Sequence, residues 1–160
     1  MTINQVSFLA TGLISNHSEL MFWSFAFHNK KSSFGTCNHL KREIQISSLL
    51  FSVMSDEAIR DTILHEIAHA LTLGHGHDYV WKSKCRELGC NSDRVGNNDM
   101  FKDGKDGHEE FRKATSKYTL TCPTCGKEYY KNRLPKRIGA CGGHGSVYNV
   151  KHKLVLTQNY

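Results

Sequence analysis

Only two prolines occur in the 160 residues, and no Pro/Gly/Ser tract is present. A long linker or a low-complexity tail is therefore not expected. Apolar runs are short, as in Leu49-Leu50-Phe51, and none reaches the 18 or so residues of a membrane-spanning helix. The opening MTINQVSFLATGLISNHSEL lacks a basic start and a clean apolar stretch, so it does not read as a secretory signal. The expected setting is the reducing cytoplasm, away from membranes. There, paired members of the six cysteines hold metal more often than they form disulfides. What is present is 39% hydrophobic and 22% charged residues, enough to bury a core. The length suits one domain with a small module appended.

Charge is unevenly placed. Residues 1–105 hold 11 basic and 11 acidic side chains, which cancel, whereas 106–160 hold 10 basic and 4 acidic. The whole formal excess of +6 thus lies in the last third. A localised excess suits a polyanionic partner, nucleic acid above all, although a solvated basic face gives the same count.

Along the chain, residues 12–22 predict a short helix or its end. The aromatic run Phe22 to His28 predicts a strand, Asn29 to Ser33 a turn, and Phe34 to Cys37 a strand pairing back. Glu43-Ile44-Gln45-Ile46-Ser47 alternates as a half-buried strand. Ser55-Asp56-Glu57 is a helix start, with a capping hydroxyl and two acids at the positive end of the dipole. Ile59, Ile63, Ile67 and Leu71 form a core-facing stripe, and the helix is expected to end near Gly74. A further helix over 78–88 turns Val80, Trp81, Cys85 and Leu88 inward and stops at Gly89. The polar, glycine-punctuated 91–110 reads as a connection. Its Asp99, Asp103, Gly104 and Glu110 mimic a calcium loop, but Phe101 stands at a ligand position.

The first helix with chemistry carries His65-Glu66-Ile67-Ala68-His69. Histidines four apart share one helix face and can share a Zn²⁺, while Glu66 can reach a water beside the metal and act as general base. A catalytic zinc takes three protein ligands and keeps one position open. His75, flanked by Gly74 and Gly76, can swing back as the third. His77 competes with it, and so does Asp78 or another acid.

These residues resemble the SprT-like family, which includes the Spartan DNA–protein crosslink proteases. The resemblance rests on His65-Glu66-Ile67-Ala68-His69-Ala70 and on Gly74-His75-Gly76-His77-Asp78-Tyr79-Val80-Trp81. Upstream, Trp23-Ser24-Phe25-Ala26-Phe27, Gly35-Thr36-Cys37 and Ile44-Gln45-Ile46-Ser47 are similar to the family's aromatic strand and next hairpin. The likeness spans roughly 20–90, and the tail resembles the family's C-terminal ribbon. It implies His75 as third ligand and DNA-bound proteins as substrate. The chain departs from the family's Pro-Glu-Phe after the triplet, having His77-Asp78-Tyr79.

Cys122-Pro123-Thr124-Cys125 and Cys141-Gly142-Gly143-His144 are two paired knuckles. Together they offer a closed Cys₃His set for a structural zinc. A redox role would need a thioredoxin-like βαβ pattern, which is absent. Between the knuckles, Lys127, Lys131, Arg133, Lys136 and Arg137 can meet phosphates. Tyr129 and Tyr130 can stack on the unpaired bases of single strands or junctions.

The sequence therefore predicts an α+β protein. A zincin-like catalytic domain over 1–105, with a small antiparallel sheet and the H-E-x-x-H helix, is followed by a zinc ribbon over 106–160. The expected activity is that of a zinc metalloprotease, with one catalytic and one structural Zn²⁺, a protein substrate and DNA as partner. One alternative is a non-catalytic zinc-ribbon protein that binds nucleic acid or associates with transcription. Another is a hydrolase of non-peptide amides.

Overall fold

The computed structural model describes residues 1–31, 33–49, 51–92, 101 and 105–159, with the side chains of 52 and 105–108 left aside. The calcium-like pattern at Asp99, Asp103 and Gly104, and most of the expected connection, lie outside the described residues. The chain divides into two compact units, Met1–His108 and Glu109–Tyr160. No helix among the described residues is long and apolar enough to cross a membrane.

The first unit opens on helix α1 (Ile3–Ser15), which begins well before the predicted helix. Its start is written in a capping box: Thr2 accepts from the Gln5 backbone N–H while the Gln5 side chain reaches back to Thr2 N. Val6, Ala10 and Ile14, four apart, bury one face.

Strands β1 (Ser24–His28), β2 (Gly35–Asn38) and β3 (Glu43–Ser47) form a sheet in the order β1-β3-β2. The expected antiparallel sheet is corrected here to a mixed one. β1 runs parallel to β3, and β2 pairs antiparallel with β3 rather than returning on β1. The physical reason lies in β3: Ile44 and Ile46 are both wholly buried, so this strand takes the centre. The less buried β1 and β2 take its two flanks.

Helix α2 (Asp56–Leu71) is capped by Ser55, which accepts from Ala58 N, and carries Asp56 and Glu57 in its first turn. Ile59, Ile63 and Ile67 are fully buried, and Leu71 packs at the edge of the same core. α2 lies against α1, β2, β3 and helix α3 (Tyr79–Leu88). α3 is capped by Asp78 and closed by Gly89, and it buries Trp81 and Cys85. Val80, expected inward, is exposed. It sits one residue before Trp81, outside the buried arc that Trp81 and Cys85 define.

Helix α4 (Lys105–Thr115) crosses the boundary between the units, and the second unit continues with strands β4 (Tyr118–Thr121), β5 (Glu128–Lys131) and β6 (Val155–Gln158). They form an antiparallel sheet in the order β5-β4-β6. Its small core holds Leu120, Cys122, Tyr130 and Cys141, too few to fold a module of this size by apolar burial alone.

Ile63, wholly buried in the core, leaves on truncation to Ala a cavity that its packed neighbours cannot refill without moving. The expected loss is about 2–5 kcal/mol, read as a lower denaturation midpoint at unchanged slope. Ser55→Ala leaves the first-turn N–H groups of α2 uncapped and costs about 1 kcal/mol in the same measurement.

Candidate metal centres

His65, Glu66 and His69 stand on the second half of α2, facing α3 and β2. After Leu71 the helix unwinds. The Thr72 hydroxyl donates back to Ala68 O at 2.6 Å, and Gly74 takes a φ of +85° that side chains resist. The turn this starts is longer than the spacing suggested. It delivers His77, whose Nε2 lies 3.3 Å from His69 Nε2 and 3.2 Å from His65 Nε2.

The third imidazole in the group is thus His77, not the expected His75. His75 Nδ1 lies 2.8 Å from Asp78 Oδ2, and Asp78 Oδ1 in turn accepts from Trp81 N. Asp78 must cap α3, and in doing so it holds the His75 ring away from the cluster. The backbone of His75 still contributes, by hydrogen bonding to His69. Such a bond fixes which ring nitrogen of His69 is left for a metal.

The ligand atoms of His65, His69 and His77 lie within 4.8 Å of one another. Zinc held tetrahedrally at 2.0–2.1 Å sets its nitrogens about 3.4 Å apart, so the observed spacing fits that ion. Trp81 backs all three rings. Its centroid lies 4.6 Å from His65, 4.9 Å from a nearly parallel His69 and 4.4 Å from His77. Burial, with repulsion from His69 and His77, pulls the His65 imidazole down to about 4. His69 falls to about 4 through burial and the neighbouring His77 and His39. Neutral imidazoles are the form that binds metal.

Glu66 is buried, and burial pushes its carboxyl up to about 8. Its place depends on Gly35 in β2, where a Cβ would come within 2.8 Å of both Glu66 Cγ and Oε1. Two residues on, the Cys37 thiol is pushed up to about 12 by burial and by Glu66. Its sulfur lies 3.7 Å from His39 Nε2, and the His39 ring meets Trp23 edge-on. Cys37, His39 and Trp81 were not singled out by the sequence as part of the site. The inward alternation Gly35–Cys37 on a strand was the available signal for Cys37.

The second unit brings Cys122, Cys125, Cys141 and His144 together within the same 4.8 Å limit. Cys125 Sγ lies 3.9 Å from Cys141 Sγ, and Cys122 Sγ 3.6 Å from His144 Nε2. Zinc at about 2.3 Å from sulfur and 2.0–2.1 Å from nitrogen spaces such ligands about 3.8 and 3.6 Å apart. Burial pushes the Cys122 thiol up. The backbone N–H groups of Cys125 and Thr124, with the Cys125 and His144 side chains, outweigh it and hold Cys122 at about 6. A thiolate-ready cysteine in a closed four-donor group suits a structural metal.

Lys127, Lys131, Arg133, Lys136 and Arg137 are exposed. The two tyrosines between the knuckles are engaged elsewhere. Tyr130 is buried and donates to Glu128 at 2.6 Å, and the Tyr129 hydroxyl lies 3.3 Å from Cys141 Sγ. Among the described tyrosines of this unit Tyr148 is the most exposed, at 59%.

The family model described as the SprT-like family matches residues 10–100, more than half of the chain. No curated protein sequence matches it.

The buried carboxyl carries a pH signature in metal-free protein. Because the folded group titrates near 8 rather than its ordinary 4.5, the unfolded state ionises first as pH rises. Glu66 therefore costs stability progressively between about pH 4.5 and 8. Glu66→Gln removes that penalty, so its stability gain over wild type should grow across this window. Urea titrations of the chelator-treated proteins at pH 5 and pH 8 measure it, and an equal difference at both values contradicts the burial described.

Proposed function

The chain belongs to the SprT-like family, and we propose on that basis that its first unit is a zinc-dependent endopeptidase. The observation that carries the proposal is the convergence of His65, His69 and His77 beside a buried Glu66. Three histidines leave a four-coordinate ion one open position, as a catalytic centre requires. When bound, zinc supplies Lewis acidity toward a peptide carbonyl and acidifies a water. Glu66 takes the proton of the attacking water on a carboxylate oxygen and returns it to the leaving amine nitrogen. The metal's positive charge favours the ionised carboxylate that this task needs. Gly35 leaves the carboxylate room, and Trp81 fixes the planes of the three imidazoles.

The second unit is proposed to hold a structural zinc through Cys122, Cys125, Cys141 and His144, and to carry the chain to nucleic acid. The five exposed bases between the knuckles support this reading. With Tyr130 buried, stacking on unpaired bases is assigned to the half-buried Tyr129 and the exposed Tyr148. Proteins bound to DNA are the substrate class that follows from joining such a module to a protease.

The protease reading is tested by Glu66→Gln, which keeps the three imidazoles and so retains zinc. Loss of the base should lower the cleavage rate by about 10²–10⁴. A variant that cleaves at the wild-type rate with full zinc removes Glu66 from the mechanism and the reading with it. Ligand identity is tested by comparing His77→Ala with His75→Ala in elemental analysis. His77→Ala should lose one zinc per chain, and His75→Ala should keep both.

For the nucleic-acid reading, Lys136→Glu/Arg137→Glu should weaken binding of a labelled single strand while both zincs remain. The logarithm of affinity should fall with that of salt by about 0.7 per phosphate contacted. Unchanged anisotropy titrations across a salt series take DNA out of the proposal.

A further inference from the structure

His152 follows the second knuckle in sequence and meets both knuckles in the structure. Its ring lies on that of His144 with centroids 4.0 Å apart and planes only 12° from parallel. Its backbone carbonyl accepts the Cys141 N–H at 2.8 Å. Its Nδ1 lies 2.9 Å from the hydroxyl of Thr124, the residue just before Cys125. That hydroxyl donates its own proton to Lys151 O at 3.0 Å. Thr124 Oγ1 is therefore the acceptor in its bond with His152, and Nδ1 of His152 is the ring nitrogen that carries the proton.

We propose that His152 is a positioning residue of the four-ligand group, holding the Cys122/Cys125 knuckle and the Cys141/His144 knuckle in the relative placement that zinc requires. The proposal rests on the reading of that group as a zinc site. The two knuckles come from separate chain segments, and each alone offers two ligands. What a tetrahedral ion needs is that the pairs face each other at fixed distance and rotation. His152 fixes the rotation of the His144 imidazole by covering one face of it. It fixes the Cys141 backbone through a main-chain bond, and it ties the first knuckle through Thr124. A short 3-10 turn, Val150–His152, presents all three contacts from one residue. Because one side-chain partner is a ring face and the other a hydroxyl, a side chain with only a flat ring or only a polar end supplies one contact and loses the other.

Groups that orient metal ligands without touching the metal typically change affinity by about 10–100-fold when removed. The test uses the full chain loaded with zinc and follows metal release to a colorimetric zinc chelator. His152→Ala should release one zinc per chain about 10–100 times faster than wild type, with the other zinc released at the wild-type rate. His152→Phe keeps the stacked ring and loses the Thr124 bond, and His152→Gln does the reverse. Each should restore part of the retention, a pattern that loss of bulk alone does not give. In cobalt-substituted protein the thiolate-to-metal absorption of His152→Ala should shift as the ligand geometry relaxes. Cys122→Ser is the control that separates the two levels. If Cys122→Ser loses one zinc and His152→Ala releases that zinc at the wild-type rate, the positioning role is wrong while the zinc site stands. If Cys122→Ser retains both zincs, the four-ligand reading fails and this inference with it. Should His152→Ala not fold, the Phe and Gln variants decide: wild-type release from both overturns the proposal.

Discussion

The burial of the Glu66 carboxyl between α2 and the backbone of Gly35 is the constraint on which the first unit depends. A carboxyl placed there is costly, as its upward shift to about 8 shows. A fold spending stability to keep a proton acceptor out of bulk water must hold it rigidly to gain anything from it. Several otherwise separate features serve that end. β2 approaches α2 closely enough that a single Cβ at residue 35 would collide with Glu66. β3, its two isoleucines fully buried, anchors β2 in place. Ile59, Ile63 and Ile67 lock α2 to the core from a different face, so the helix cannot roll and turn the carboxyl outward.

Much of this was legible in the residues. The four-residue spacing of the isoleucine stripe fixed which side of α2 is buried, and the spacing of His65 and His69 put both on one other side. The Ser55 cap and the Gly89 stop marked real helix ends because capping is local chemistry. What failed was what depends on distant partners. The mixed sheet could not be read from β1 and β2 alone, since its order is decided by how deeply β3 is buried. The apolar cluster near residue 14 marks only the end of α1, whose start is written in polar residues, the Thr2/Gln5 capping box. The choice between His75 and His77 turned on the length of a turn after Gly74 and on the need of α3 for a cap.

That last case shows how a helix cap can select a candidate metal ligand. Asp78 has two oxygens, one taken by the Trp81 N–H and the other by His75. Once His75 is tied to Asp78, the geometry of the start of α3 determines which imidazole turns inward. Asp78 and Trp81 belong to the same first turn, so capping α3 also sets Trp81 behind the three rings. The cap, the platform and the third imidazole are therefore one local structure, and moving any of them moves the others.

The two candidate metal centres share a device that ligand spacing does not announce. Behind His65, His69 and His77 stands the indole of Trp81, and behind His144 stands the imidazole of His152. An imidazole bound through one nitrogen can still rotate about the metal–nitrogen direction and about its own side-chain bonds. A ring packed against it, stacked for His69 and His144 and edge-to-face for His65 and His77, removes that freedom at small cost, since the buried apolar contact is itself favourable. In the first unit the platform is a tryptophan on a neighbouring helix, large enough to meet three ligands at once. In the second, where the apolar core is small, one histidine from a short turn covers a single imidazole of the group and supplements the stack with two hydrogen bonds. The difference follows from the cores available: a unit that can bury an indole uses it, and one with a small core relies on polar ties.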